Sequence, residues 1–119
     1  GELSFTYRLA RSLCLAGAVA AGAQPVDGVF QDFRDDDGLR AEAEAARREG
    51  FTGKLAIHPG QVAVINAAFT PSGDEVRHAE EIVAAFEAHP EAGVLSVGGK
   101  MVDRPHLVQA RRILERAKP

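Results

Sequence analysis

Tryptophan is absent from these 119 residues, cysteine and methionine occur once each, and only seven residues are aromatic. The single Cys14 cannot close an internal disulfide or build a thiolate metal cage. That excludes the disulfide-stapled secreted class and points to a reducing compartment. A basic surplus is also missing: 14 Lys+Arg stand against 17 Asp+Glu, a net charge of −3. Nothing is left over to neutralise a phosphate backbone, so no nucleic-acid partner is expected. Long apolar runs are lacking too. The longest mostly apolar stretch, Leu13 to Ala23, covers about half a bilayer and is mostly Ala and Gly, so it reads as a buried helix and no membrane span is expected. The stretch does not have the form of a signal peptide, since an acidic residue precedes Arg8 and Arg11 and Gln24-Pro25 follows the run. The cytoplasm, or an organelle matrix after processing, is the expected location.

Small residues are abundant instead, with twenty-one alanines and twelve glycines. They let elements approach closely, but each buries little area, and a lone domain of this length draws much of its stability from large apolar groups. The chain is short of them. Its elements call for neighbours, either another part of a longer polypeptide or another subunit.

Helical spacing of Phe5, Leu9, Leu13, Ala16 and Ala20 predicts a first helix from about Ser4 to Ala21. A short β-rich run, Val26–Phe30, follows Gln24-Pro25. Asp32, Asp35, Asp36 and Asp37 then suit the start of a second helix, where unpaired N–H groups and the macrodipole favour negative charge. That helix is expected from about Gly38 to Glu49, with Leu39, Ala43 and Ala46 on one face and Gly50 closing it. Lys54–His58 reads as a second strand, with Pro59 in the first turn of a helix through Phe69. The order is the βα rhythm of a parallel sheet or barrel, yet two strands cannot form a stable parallel sheet alone.

The last third differs. Ser72 to Glu75 reads as a capping box opening a helix that His89-Pro90 ends. Val94–Val97 and Lys100–Val102 flank Gly98-Gly99 as a hairpin. A final helix from Arg104 or Pro105 to Ala117 is expected to pack through Leu107, Val108, Ile113 and Leu114.

Candidate chemistry is sparse. The four acids between Asp32 and Asp37 lack the ligand spacing of a calcium loop, so a solvated helix start is the favoured reading. His78 and His89 read as exposed surface. His58 stands apart because it ends a strand just before a helix, where ligands bind in α/β folds; a hydrogen-bonded structural histidine is the competing reading. Asp103 precedes Pro105 and reads first as the N-cap of the last helix. Cys14 reads as packing. No GxGxxG, Walker or GxSxG motif is present.

The segment Gly50-Phe51-Thr52-Gly53-Lys54-Leu55-Ala56-Ile57-His58-Pro59-Gly60-Gln61 resembles the GFxGKxxIHPxQ signature of the citrate lyase beta-subunit-like family, within the HpcH/HpaI aldolase superfamily. Flanking matches occur in the same order: Ala10-Arg11-Ser12; Pro25-Val26-Asp27-Gly28-Val29; Asn66, Phe69, Pro71 and Ser72; and Gly99 to Pro105, which is similar to GKMxDxP. The resemblance implies an α/β fold made of the last two βα units of a TIM (β/α)8 barrel plus a helical C-terminal extension, an incomplete barrel as given. Residues 1–70 would be the barrel part and residues 71–119 a helical lid and oligomerisation extension.

The function it implies is Mg²⁺-dependent carbon–carbon cleavage or condensation of a citryl-, malyl- or citramalyl-CoA-type thioester through an acetyl-CoA enolate. The family's Mg²⁺ ligands lie on earlier strands and match no position here, so no metal ligand is expected in this segment. Asp103 would be the acid/base residue at the acetyl carbon, delivered to a neighbouring subunit's barrel mouth. Pro25, Asp27, His58 and Gln61 are the candidates for the coenzyme A pocket, with His58 and Lys54 equally readable as structural. A homo-oligomer, trimer or hexamer, is expected for the parent. The rival readings are an inactive piece that serves subunit assembly, and a free CoA-binding module.

Overall fold

The computed structural model describes residues 3–119. The chain divides into two compact units, Gly1–Phe69 and Thr70–Pro119.

The first unit begins with α1, Phe5–Ala20, whose N-cap Ser4 accepts a hydrogen bond from the Tyr7 N–H at 3.3 Å. Next come β1 (Val26–Asp27), α2 (Asp36–Glu49), β2 (Gly53–Lys54) and α3 (Gln61–Phe69). The strands pair in parallel, Val26 with Gly53 and Asp27 with Lys54. Pairing continues past both ends, from the Thr52 N–H to the Pro25 carbonyl at 2.9 Å and from the Leu55 N–H to the Asp27 carbonyl at 3.0 Å. Helix α2 links the two strands and packs on α3, as a βα repeat requires. Asp35 caps α2 by accepting from the Gly38 N–H at 2.9 Å, and Asp36 and Asp37 fill its first turn. Gly50 ends it at φ 119°, a conformation open to glycine and costly for other residues. The expected face of α2, Leu39, Ala43 and Ala46, is buried where α2 packs on α3, and Phe51, Ile65 and Ala68 are buried in the same unit.

Three expectations need correction here. The strands are two residues each, not five, because each has a single neighbour among the described residues and pairing stops where the exit loops diverge. Pro59 lies in a turn before α3, which starts at Gln61; the Gln61 and Val62 N–H groups bond back to the His58 and Pro59 carbonyls. Helix α1 buries no residue, and Leu9, Leu13 and Cys14 are exposed. Val26, Leu55 and Ile57 are also half-exposed around the parallel pair, so this unit presents apolar surface on strands and helix together.

The second unit contains α4 (Gly73–Ala88), β3 (Val94–Val97), β4 (Lys100–Asp103) and α5 (Arg104–Ala117). Ser72 caps α4, accepting from the Glu75 N–H at 3.2 Å. The hairpin pairs Val97 with Lys100 and Val94 with Asp103, closed by Gly98 and Gly99 at φ 58° and 78°. Two successive positive φ values define the type I′ turn whose twist matches the strands. Helices α4 and α5 pack together over the hairpin, burying Ala79, Ile82, Phe86, Val97, Val102, Leu107 and Ala110. Val108, expected to pack, is 47% exposed: the buried stripe of α5 runs through Leu107 and Ala110, and Val108 falls outside it.

Candidate functional site

In the first unit the chemistry gathers where β1 and β2 end. The Gln61 side chain is fully buried at the start of α3. Its Oε1 accepts from the Ile57 N–H at 2.9 Å and its Nε2 donates to the Phe30 carbonyl at 2.9 Å. Ile57 belongs to the loop leaving β2 and Phe30 to the loop leaving β1, so one carboxamide latches both loops and satisfies two backbone groups. His58 lies inside the latched loop and is exposed. Its Nδ1 accepts from the Gly60 N–H at 3.0 Å, which places the neutral ring's proton on Nε2, the nitrogen available to a ligand. The ring stacks on Phe33, with centroids 4.9 Å apart and planes 15° from parallel, and the Arg34 guanidinium covers Phe33 at 5.5 Å.

Asp27 occupies a different setting. Its carboxylate is buried, with Oδ1 2.9 Å from Arg11 Nε and Oδ2 3.1 Å from Lys54 Nζ. Arg11 also pairs with Glu49 and stacks over the Phe51 ring; Lys54 also pairs with Glu42 and donates to the Gly28 carbonyl at 2.9 Å. Burial alone would raise the Asp27 pKa. The hydrogen bonds from Arg11 and Lys54, with that from Gly28, outweigh it and hold the carboxyl below its ordinary value of 3.8. The bond to Asp27 likewise raises the Arg11 pKa. The cluster therefore ties α1, β1, α2 and β2 together as fixed charges. A cleft of about 630 Å³ opens over it, lined in part by Tyr7, Arg8, Val29 and Asp32.

Pro25 is buried at the entry of β1, its carbonyl holding the Thr52 N–H and hydroxyl. The structure thus brings His58 and Gln61 together in one loop, engages both Asp27 oxygens in ion pairs, and sets Pro25 at the other end of its strand. Asp103 belongs to the second unit. It ends β4 and caps α5, accepting from the His106 N–H at 3.3 Å. His106 Nδ1 lies 2.6 Å from Asp103 Oδ1 and 3.1 Å from the Asp103 backbone nitrogen. The hydrogen bond from His106 holds the Asp103 pKa below its ordinary 3.8. Sequence reasoning singled out Asp103 but missed His106; the three-residue spacing of a capping box was the signal that could have found it. The ionic role of Arg11 was missed.

Among the described residues, no group of three or more His, Cys, Asp or Glu side chains could hold a metal ion. The described residues thus offer no magnesium cage of their own. No helix among them is long and apolar enough to cross a membrane.

A family model, C-C_Bond_Lyase of the TIM-Barrel fold, matches residues 8–119. The chain belongs to this family of carbon–carbon bond lyases. As a member of it, the chain is an α/β segment of a TIM-barrel protein, with one parallel pair and one hairpin in place of a complete barrel. It is 47% identical to a (3S)-malyl-CoA thioesterase of Cereibacter sphaeroides, a match covering 98% of this chain and 44% of that protein. It is 44% identical to the mitochondrial citramalyl-CoA lyase of Rattus norvegicus, covering 88% of this chain and 32% of the relative. Among solved structures, it resembles CitE of Mycobacterium tuberculosis in complex with magnesium, acetoacetate and coenzyme A. There the TM-score is 0.85 at 36% identity, over 98% of this chain and 43% of that one. The chain spans less than half the length of the relatives it matches.

Proposed function

We propose that this chain is the C-terminal portion of a lyase that cleaves, or in reverse condenses, a citryl-, malyl- or citramalyl-CoA-type thioester through an acetyl-CoA enolate. Asp103 is the acid/base group of that reaction. The observation that carries the reading is the setting of its carboxylate at the junction of the hairpin and α5. It is partly exposed, held ionised, and fixed through Oδ1 while Oδ2 takes no part in those bonds. In the condensing direction Oδ2 takes a proton from the acetyl α-carbon as the enolate forms. In the cleaving direction the substrate hydroxyl gives up its proton as the carbon–carbon electrons move into the enolate, and Asp103 in its protonated form delivers a proton from Oδ2 to the acetyl carbon.

His58 and Gln61 belong to the thioester pocket, His58 by contact through Nε2 and Gln61 by holding the loop that presents it. Asp27 and Pro25 act there through the backbone they anchor. Residues 71–119 serve as lid and oligomerisation extension, and the parent works as a cytoplasmic homo-oligomer. The names of the citramalyl-CoA and malyl-CoA relatives and the CoA complex of CitE support the substrate class.

The name of the malyl-CoA relative favours a second reading, hydrolysis of the thioester. The two readings differ in products. The full-length polypeptide carrying this segment is incubated with malyl-, citramalyl- and citryl-CoA. Cleavage releases acetyl-CoA with a 2-oxo acid, whereas hydrolysis releases free CoA and the hydroxy acid. Acetyl-CoA formation that Asp103→Asn lowers about a hundredfold or more, the scale of general acid–base catalysis, supports the proposal. Unchanged turnover in that variant returns Asp103 to a capping role. The 119-residue chain alone is expected to give no turnover.

A further inference from the structure

His106 Nδ1 approaches two atoms of Asp103 that make opposite demands on it. The backbone N–H of Asp103, 3.1 Å away, wants a bare nitrogen, while Oδ1, at 2.6 Å, leaves room only for a contact with a proton between the two atoms. A bare Nδ1 facing an ionised Oδ1 at that distance would set lone pair against lone pair. A proton in the shorter contact, supplied by Nδ1 when the carboxylate is ionised, removes that conflict.

Other charges near the pair point elsewhere. Arg104, adjacent on α5, donates to the Pro90 carbonyl and covers the Phe86 ring of α4. The β3 residue opposite Asp103 is Val94, which carries no charge. Both partners are open to solvent, with His106 52% and Asp103 37% exposed.

We propose that His106 is the positioning residue for Asp103: its Nδ1–H pins Oδ1 at the first turn of α5, aims Oδ2 at the reacting carbon, and keeps the carboxylate ready to accept a proton. The proposal rests on the reading of Asp103 as the acid/base group. A cap alone needs only the bond from the His106 backbone N–H to Oδ1, which any residue at position 106 supplies. The ring contact is the part specific to histidine.

The test compares His106→Leu, His106→Asn and Asp103→Asn in the full-length polypeptide, with kcat, KM and the pH profile of kcat measured for each. Loss of the ring should lower kcat roughly ten- to a hundredfold, the scale of a misplaced catalytic group, with little change in KM. In the condensing direction, where Asp103 must be ionised, the acidic limb of the profile should move to higher pH. Asparagine, whose amide can donate in place of Nδ1–H, should restore much of both. Wild-type kcat and pH profile in His106→Leu, alongside an inactive Asp103→Asn, would overturn the positioning role and leave the acid/base reading intact. Full activity in Asp103→Asn would overturn both.

A second measurement does not depend on activity. In the full-length polypeptide labelled with ¹⁵N-histidine, NMR of the His106 ring should show Nδ1 protonated at neutral pH, and the Asp103 carboxyl should titrate at higher pH in His106→Leu. A bare Nδ1, or an unmoved carboxyl, would overturn the inference.

Discussion

Lys54 Nζ lies 3.1 Å from Asp27 Oδ2, with the lysine side chain 1% and the aspartate 7% exposed, within one of the two register pairs that join β1 to β2. Two strands of two residues offer few backbone bonds, so this buried pair supplies cross-links the short ladder lacks. Breaking a buried pair by removing one partner leaves the other charge uncompensated, at a cost of about 3–5 kcal/mol. The two sides are not equivalent. Lys54→Met leaves Asp27 bonded to Arg11, whereas Asp27→Asn takes the shared carboxylate from both Arg11 and Lys54, which keep only the more exposed Glu49 and Glu42. Urea unfolding should place Asp27→Asn nearer the upper end of that range and Lys54→Met nearer the lower. The reverse order would mean that the lysine, not the aspartate, organises the cluster.

The same carboxylate sets an acid limit. A carboxyl whose pKa is lower in the folded state than in the unfolded one contributes stability that is fully present above the unfolded value. That stability is lost as pH falls through the folded value. Asp27 is held below 3.8, so its contribution should stand at neutral pH and disappear in the strongly acid range. Stability followed by circular dichroism as pH is lowered should fall more steeply in the wild type than in Asp27→Asn, which has no such carboxyl to protonate.

Gln61 invites a different substitution. Its carboxamide satisfies the Ile57 N–H and the Phe30 carbonyl from a buried position. Gln61→Leu keeps the volume but takes the partner from both groups; an unsatisfied buried group costs about 1–3 kcal/mol, and these two, only part-buried, should each fall at the low end of that range. The variant should lose stability and should also free the His58 loop, read as faster amide exchange at Ile57. Loss of stability without a change at Ile57 would place the cost elsewhere.

How much of this was legible in the sequence depends on the range of the interaction. Ser4, Asp35, Ser72 and Gly50 mark helix ends by local hydrogen bonds and φ preference, and each sits where its residue type suggests. The Gly98-Gly99 turn is equally local. Strand length was not legible, because it depends on neighbours. Val29 and Ile57 have β-prone side chains, yet they lie in exit loops with no third strand beside them. The exposure of α1 has the same origin: its helical spacing says where an apolar face is, not whether anything covers it. The ion cluster joins residues sixteen and twenty-seven positions apart, so no spacing rule reveals it. The two lines of reasoning met at Asp103, where a local cap and a family motif fall on one residue.

The second unit gives a prediction about packing. Phe86 is 3% exposed at the centre of the cluster formed by α4, the hairpin and α5, and its ring also carries the Arg104 guanidinium at 5.1 Å. Phe86→Ala should destabilise this unit by roughly 3–5 kcal/mol, combining lost transfer energy with a cavity. Because Arg104 follows Asp103 directly, loss of the ring also removes the support of a residue beside the Asp103–His106 pair. Phe86→Leu keeps most of the apolar volume but gives Arg104 no aromatic face. It should therefore cost much less in thermal stability while still shifting the amide resonances of Asp103 and His106. If both variants leave those resonances unmoved, the junction is held by the hairpin and the helix cap alone, without help from the core beneath it.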